Sequence, residues 1–223
     1  GLETMATRDA EGTTVLSFYD SLLRKSDVDL LKGPRWLNDN IISFVYEYFE
    51  RVQYAEFSEQ VAFVSPSVTQ MLEFIPASEA AAMLSPLRLS DKAHIFLAVN
   101  DNQQPEEVGG SHWSLLHYKR SEKTFYHYDS FSGSNVKIAQ DVAKKIAHIF
   151  GIDEHCMNFT DVKCPQQNNG YDCGLFVICN TEVLSDQLLK GATQPLEDAV
   201  TSASVTAKRK ELKQLIYQLA EKS

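Results

Sequence analysis

The sequence lacks most of the features that would sort it at once. No apolar run reaches the roughly 20 residues needed to cross a bilayer. No basic-then-apolar leader is visible at the start. Cysteine is sparse, with Cys156, Cys164, Cys173 and Cys179 only, and no C-x-x-C pair. Their spacings of eight, nine and six residues argue against a structural zinc site. With no export signal, reduced thiols and a cytoplasmic or nuclear location are expected rather than disulfides. Basic residues are in deficit, 21 against 30 acids for a net charge of −9. That balance argues against a nucleic-acid or membrane-surface partner and favours a basic one. Repeats and low-complexity tracts are absent.

What is present suits one globular domain. The chain has 223 residues and 43% hydrophobic content, enough for a sizeable core. Residues 1–14 are set apart: Gly1 to Thr4 precede Met5 and read as an appended remnant, and the polar stretch after them reads as a flexible start. Residues 15–223 are expected to form a single domain, and nothing in the sequence demands more than a monomer. Val15–Phe18 suggests a strand, and Ile41–Val52 carries apolar residues at helical spacing behind Asn38, a natural N-cap. Val61–Val64 and His94–Val99 read as strands, with helices over Pro66–Ile75 and Ser78–Leu84 between them. His112–Tyr118 and Thr124–Ser130 read as an antiparallel hairpin, and Val136–Phe150 as an amphipathic helix stopped by Gly151. A strand over Met157–Val162 and a helix from Cys173 to Lys190 follow. Gly191–Ser204 is expected to be loop, and Val205–Lys222 a closing helix with Lys208-Arg209-Lys210 on its solvated face.

The organising stretch is Pro165-Gln166-Gln167-Asn168-Asn169-Gly170-Tyr171-Asp172-Cys173-Gly174. Asn-Asn-Gly permits a tight bend with positive φ, and Pro165 blocks a helix from upstream. Asp172 stands where an N-cap belongs, so Cys173 falls in the first turn of a helix. Unpaired backbone N–H groups and the helix dipole favour a thiolate there. Gln167 lies six residues earlier, across the turn, and can offer an amide to the same point in space. A thiolate beside amide donors suits acyl transfer with an oxyanion hole. The plainer reading is that a lone Cys among apolar residues is a small buried hydrophobe. A base and an orienting acid must accompany it, and the sulfur must be reachable.

Both partners are found in the hairpin. A turn centred near residues 121–122 sets His112 opposite position 131, with Asp129 diagonal to it on one face of the sheet. A carboxylate so placed fixes the imidazole tautomer and stabilises its protonated form. A one-residue slip would break this parity. His127 shares the strand with Asp129 and is the rival base. His112 is favoured by its place at a strand mouth, beside the Asn100–Gly110 loop with its Gly109-Gly110 pair. Trp113 and Trp36 are as easily core residues as walls of a groove.

Taken in order, His112-Trp113, Asp129-Ser130, Gln167 and Asp172-Cys173-Gly174 resemble the Ulp/SENP cysteine proteases of ubiquitin-like modifiers. Trp36-Leu37-Asn38-Asp39 is similar to that family's upstream motif. The segments Ala98–Asn102, Gly109–Leu116 and Phe125–Ser130 look most like its deneddylase branch. The resemblance implies a papain-like α+β fold, with a Cys helix packed on a mostly antiparallel sheet that carries His and Asp. It implies Cys173 as nucleophile, His112 as base and then acid, and Asp129 as orienting carboxylate. Gln167 with the Cys173 N–H would form the oxyanion hole, Gln166 being a possible substitute. Trp36 and Trp113 would flank a channel that admits only a Gly-Gly tail. Asn38, Asp39 and Gly110 would contact that tail, or in the case of Asp39 a basic residue of the modifier, with Gly109-Gly110 as the hinge of a closing loop.

The activity so implied is cleavage after the C-terminal Gly-Gly of a modifier, without a cofactor or metal. Precursor processing and release from target lysines, such as those of cullins, would both be served. The neddylation modifier is the expected partner, and SUMO the alternative with the same residues. A modifier-binding protein without activity is disfavoured by the intact set. An acetyltransferase is disfavoured by the shortage of Lys and Arg.

Overall fold

The computed structural model describes residues 12–102 and 112–223. A short antiparallel hairpin, β1 (Thr14–Phe18) and β2 (Ser21–Arg24), leads into α1 (Lys25–Asp29). Helix α2 (Asp39–Tyr48) follows, begun by Asn38, whose Oδ1 accepts the Ile41 N–H at 3.1 Å. The helical pattern continues past Tyr48 as one wider turn, Phe49–Gln53. Strands β3 (Val61–Val64), β4 (His94–Asn100), β5 (Trp113–Lys119), β6 (Thr124–Tyr128) and β7 (Asn158–Val162) form one five-stranded sheet in sequence order. Between them run α3 (Pro66–Phe74), α4 (Ala77–Leu84) and α5 (Val136–Ile149). After the sheet come α6 (Cys173–Lys190), the short α7 (Leu196–Ala199) and α8 (Ser202–Glu221).

The fold is α+β, and its sheet is mixed. The β4–β5 and β5–β6 ladders are antiparallel, as expected for the strands leading to His112 and Asp129. Both outer ladders, β3–β4 and β6–β7, are parallel, which corrects the expectation of a mostly antiparallel sheet. Parallel neighbours need a crossover. Helices α3 and α4 supply one and α5 the other.

Alternation along the strands feeds two cores. Ile95, Leu97, Val99, Leu116 and Tyr118 face α3–α5. Phe96, Ala98, Trp113 and Leu115 face the opposite cluster, which includes Ile41, Ile42, Val45 and the wall of α6 from Cys173 to Ile178. Helix α6 is therefore covered on most sides, which explains its nearly continuous apolar start. Two boundaries differ from expectation. The segment 191–204 is not all loop, because Leu196–Ala199 is helical. Helix α8 starts at Ser202 because Thr201 and Ser204 close a capping box, each side chain bonding the other's backbone N–H.

The Cys helix meets the segment before α2 at Gly174. A Cβ there would lie 3.0 Å from Leu37 Cβ and 3.3 Å from its Cγ and Cδ1. Leu37 is buried, and its carbonyl accepts the Trp113 indole N–H at 3.0 Å, so it has little room to yield. Gly174→Ala is expected to lower stability by ~1–2 kcal/mol, the overpacking cost exceeding the gain in helix propensity. The urea unfolding midpoint measures it; a stabilised variant would show that the approach is not tight.

Candidate active site

The turn before α6 is built by side chains. Asn169 Oδ1 accepts the backbone N–H groups of Tyr171 and Asp172, each at 3.0 Å. Its Nδ2 donates to Asp172 Oδ2 at 2.8 Å. None of Asn168, Asn169 and Gly170 takes positive φ, so this side-chain turn replaces the expected left-handed bend. Asp172 is the residue before the helix, but its carboxylate caps no helical N–H. The first-turn donors of α6, at Cys173 and beyond, thus remain directed out of the helix end.

Gln166 and Gln167 stitch this turn to the loop after β6. Gln166 Nε2 donates to Asp129 O at 2.9 Å and Cys164 O at 3.0 Å, while its Oε1 accepts from Ser132 N and Oγ. Gln167 Oε1 accepts from Ser130 Oγ at 2.7 Å, and its Nε2 donates to Asn169 O at 2.8 Å. That bond uses one of the two N–H groups on the Gln167 amide and leaves one.

The hairpin register matches the spacing argument. Leu115 pairs with Tyr128 and Lys119 with Thr124, so the ladder carried onward sets His112 against position 131. His112 Nε2 lies 2.5 Å from Asp129 Oδ1. Asp129 Oδ1 also accepts the Phe131 N–H at 3.0 Å, and its Oδ2 the Asn135 N–H at 2.9 Å. Burial alone would raise the Asp129 pKa, but the His112 bond and these two backbone donors hold it below the usual carboxylate range. Burial likewise works against a charged His112. Hydrogen bonds to Asp129 and to Cys173 outweigh it and push the imidazole up to about 9.

The carboxylate and the thiol thus both act on the imidazole. With Nε2 on Asp129, Nδ1 is the nitrogen left for Cys173. The other two buried thiols have no such company: desolvation pushes Cys164 up to about 11 and Cys179 to about 12. His127, the rival, is fully buried with both nitrogens engaged, Nδ1 on Asp161 at 2.8 Å and Nε2 on Ser114 Oγ at 2.9 Å. Desolvation lowers its pKa.

The candidate nucleophile is buried, where a reachable sulfur was expected. Cys173 is only 1% exposed and shares a buried cluster with Leu37 and Trp113. Trp36 stands 55% exposed, but Trp113 is buried with its indole N–H on Leu37, so its packing is that of a core residue. Asn38 is committed to the fold: it caps α2 and donates to Asp27 Oδ1 at 2.7 Å, which makes it a cap rather than a free substrate ligand. Asp39, half-buried in the first turn of α2, has its pKa raised by desolvation and no ion-pair partner among the described residues. Gly110 and the Gly109-Gly110 hinge lie outside the described residues.

A family model, the Ulp1 protease family, C-terminal catalytic domain, matches residues 35–223, a span that contains every side chain of the site. Sentrin-specific protease 8 of Homo sapiens is 46% identical over 93% of this chain and 98% of its own length. NEDD8-specific protease 1 of Arabidopsis thaliana is 36% identical over 79% of this chain and 77% of its own. Among solved structures, the C-terminal Ulp1 protease domain in complex with SMT3, the yeast ortholog of SUMO, matches with a TM-score of 0.74. That match covers 97% of this chain and 92% of the other at 24% identity, a likeness of fold.

Sequence reasoning missed two supports of the site. Asn135 holds Asp129 from its backbone, and its Nδ2 donates to His112 O at 3.2 Å. Arg209, expected on a solvated face, is buried. Its Nε and Nη2 donate to Asp172 Oδ1 at 3.1 and 3.0 Å, Nη1 to Leu30 O at 2.8 Å, and Nη2 to Arg35 O at 2.7 Å. Lys208 is also drawn in, paired with Glu182 and Glu211. The signal was available: Val205, Arg209, Leu212 and Ile216 are the buried residues of α8 and recur at helical spacing. Arg209→Met strands a buried Asp172 carboxylate and is expected to cost ~3–5 kcal/mol of stability. Arg209→Met/Asp172→Asn should recover part of that loss in the same denaturant titration. A single variant as stable as the parent would show that the pair does not hold the turn.

Proposed function

Because the chain belongs to the Ulp1 protease family, we propose that it is a thiol isopeptidase that cuts after the C-terminal Gly-Gly of NEDD8. The observation that carries this reading is the His112 imidazole, held by the Asp129 carboxylate at 2.5 Å and made more basic by that carboxylate and by the Cys173 thiol. The choice of NEDD8 over SUMO is supported by the relatives named above, one called a NEDD8-specific protease at 36% identity. The SMT3-bound Ulp1 domain, at 24%, bears on fold alone.

The chemistry follows from the geometry. His112 Nδ1 takes the Cys173 proton, and Asp129 on Nε2 stabilises the resulting imidazolium. The thiolate attacks the carbonyl of the modifier's last glycine. Negative charge on the carbonyl oxygen is met by the Cys173 N–H at the helix start and by the free N–H of Gln167. Each such donor is typically worth ~3 kcal/mol of barrier lowering. His112 then gives its proton to the departing amine, and water, deprotonated by the same imidazole, releases the thioester.

Specificity for Gly-Gly has a steric basis. A thiol 1% exposed, in the same buried cluster as Leu37 and Trp113, favours an extended tail without side chains. Asp39, desolvated and without an ion-pair partner among the described residues, suits a basic residue of the modifier upstream of that tail. Trp36, exposed at the same segment, offers an apolar face to it.

Cys173→Ala is expected to reduce cleavage of a NEDD8–lysine conjugate to background without loss of folding. A vinyl-sulfone derivative of NEDD8 is expected to label Cys173 faster than the SUMO derivative. Retained turnover in the variant would end the nucleophile assignment, and faster labelling by SUMO would reverse the choice of modifier.

A further inference from the structure

The two halves of the substrate leave the reacting carbonyl on different sides. As the Cys173 S–C bond forms and the C–N bond breaks, the electron pair of C–N stays on nitrogen. That nitrogen takes the proton which His112 removed from the thiol. The departing amine therefore lies within about 3 Å of His112 Nδ1 at that moment. Whatever the amine is attached to must run over the surface beside the imidazole.

A large apolar side chain stands beside that imidazole. Phe131 is 61% exposed, and its ring stands edge-on to His112 with centroids 6.1 Å apart. The residues around it, Ser130, Ser132, Gly133 and Ser134, carry no apolar side chain. Its backbone is held, the N–H donating to Asp129 Oδ1 at 3.0 Å and the carbonyl accepting from Ser134 N–H at 3.2 Å. A single exposed aromatic needs no explanation in general. This one has its backbone held by the same carboxylate that orients the base, so its Cα is fixed beside the imidazole that serves the departing amine.

We propose that Phe131 selects the leaving group, its ring packing against the methylene stem of a target lysine so that Nε-linked conjugates are cut in preference to linear extensions. A lysine amine ends a stem of four apolar methylenes. The α-amine of a linear extension brings polar backbone to the same place and gains no such contact. The inference rests on the thiol-isopeptidase reading and adds the determinant of its leaving-group side.

Two substrates with the same modifier test it: one joined through its last glycine to a lysine ε-amine of a short peptide, the other to the α-amine of a short extension. The full chain, Phe131→Ser and Phe131→Leu are compared by kcat/KM on each. Both variants keep the backbone N–H on Asp129, and a ratio of two substrates cancels any loss of folded enzyme. The isopeptide-over-linear ratio is expected to fall about 5- to 20-fold in Phe131→Ser. In Phe131→Leu, which retains an apolar wall, it is expected to stay within about twofold of the parent. An unchanged or increased ratio in Phe131→Ser overturns the role of Phe131 while leaving the isopeptidase reading intact. A folded parent chain that cuts neither substrate overturns the isopeptidase reading, and this inference with it.

Discussion

The Asp129 carboxylate is the constraint on which the rest of the site depends. It is buried, and a buried carboxylate stays charged only if its oxygens are well supplied with donors. Here they are: the His112 imidazole and the Phe131 N–H on Oδ1, and the Asn135 N–H on Oδ2. Each donor also reports a piece of the fold. His112 stands at the mouth of β5, Phe131 in the loop after β6, and Asn135 at the start of α5. A charged Asp129 holds Nε2 of the imidazole, and so leaves Nδ1 for the thiol. Register, loop and helix start therefore converge on one choice of nitrogen.

A second buried carboxylate plays the corresponding part at the start of the Cys helix. Asp172 precedes the nucleophile, and Arg209 from the last helix fixes it while also holding the carbonyls of Leu30 and Arg35. The same guanidinium thus ties the helix that presents Cys173 to the segment leading into Trp36 and Leu37. Breaking such a pair costs far more than forming it gains, because the partner is left charged and unsolvated. The thiol, the segment at Arg35–Leu37 and the C-terminal helix are consequently one mechanical unit, with Gly174 allowing the close approach at Leu37.

Much of this was legible from residue order. The period-two pattern of the hairpin placed His112 and Asp129 on one face, and the pairing of Leu115 with Tyr128 is the register that pattern implies. The start of the Cys helix and its stop at Lys190 were equally readable from turn and apolar signals. Parallel pairing at the sheet edges was not, because alternation within a strand says nothing about its neighbour's direction. Arg209 was misread because charge was weighed ahead of position on the helical stripe. Local sequence also could not reveal that Gln166 and Asn169 satisfy backbone and side-chain groups of distant or turning segments, since those partners exist only after folding.

The direct test is the protonation of one ring. Nitrogen-15 chemical shifts of His112, followed across alkaline pH, report both which nitrogens carry protons and where the imidazolium is lost. The account predicts that both nitrogens stay protonated well above the ordinary histidine range, with the proton lost near pH 9, and that Asp129→Asn moves that transition downward. A His112 that titrates at or below the ordinary value of about 6.5, or whose titration ignores the Asp129 substitution, would contradict it.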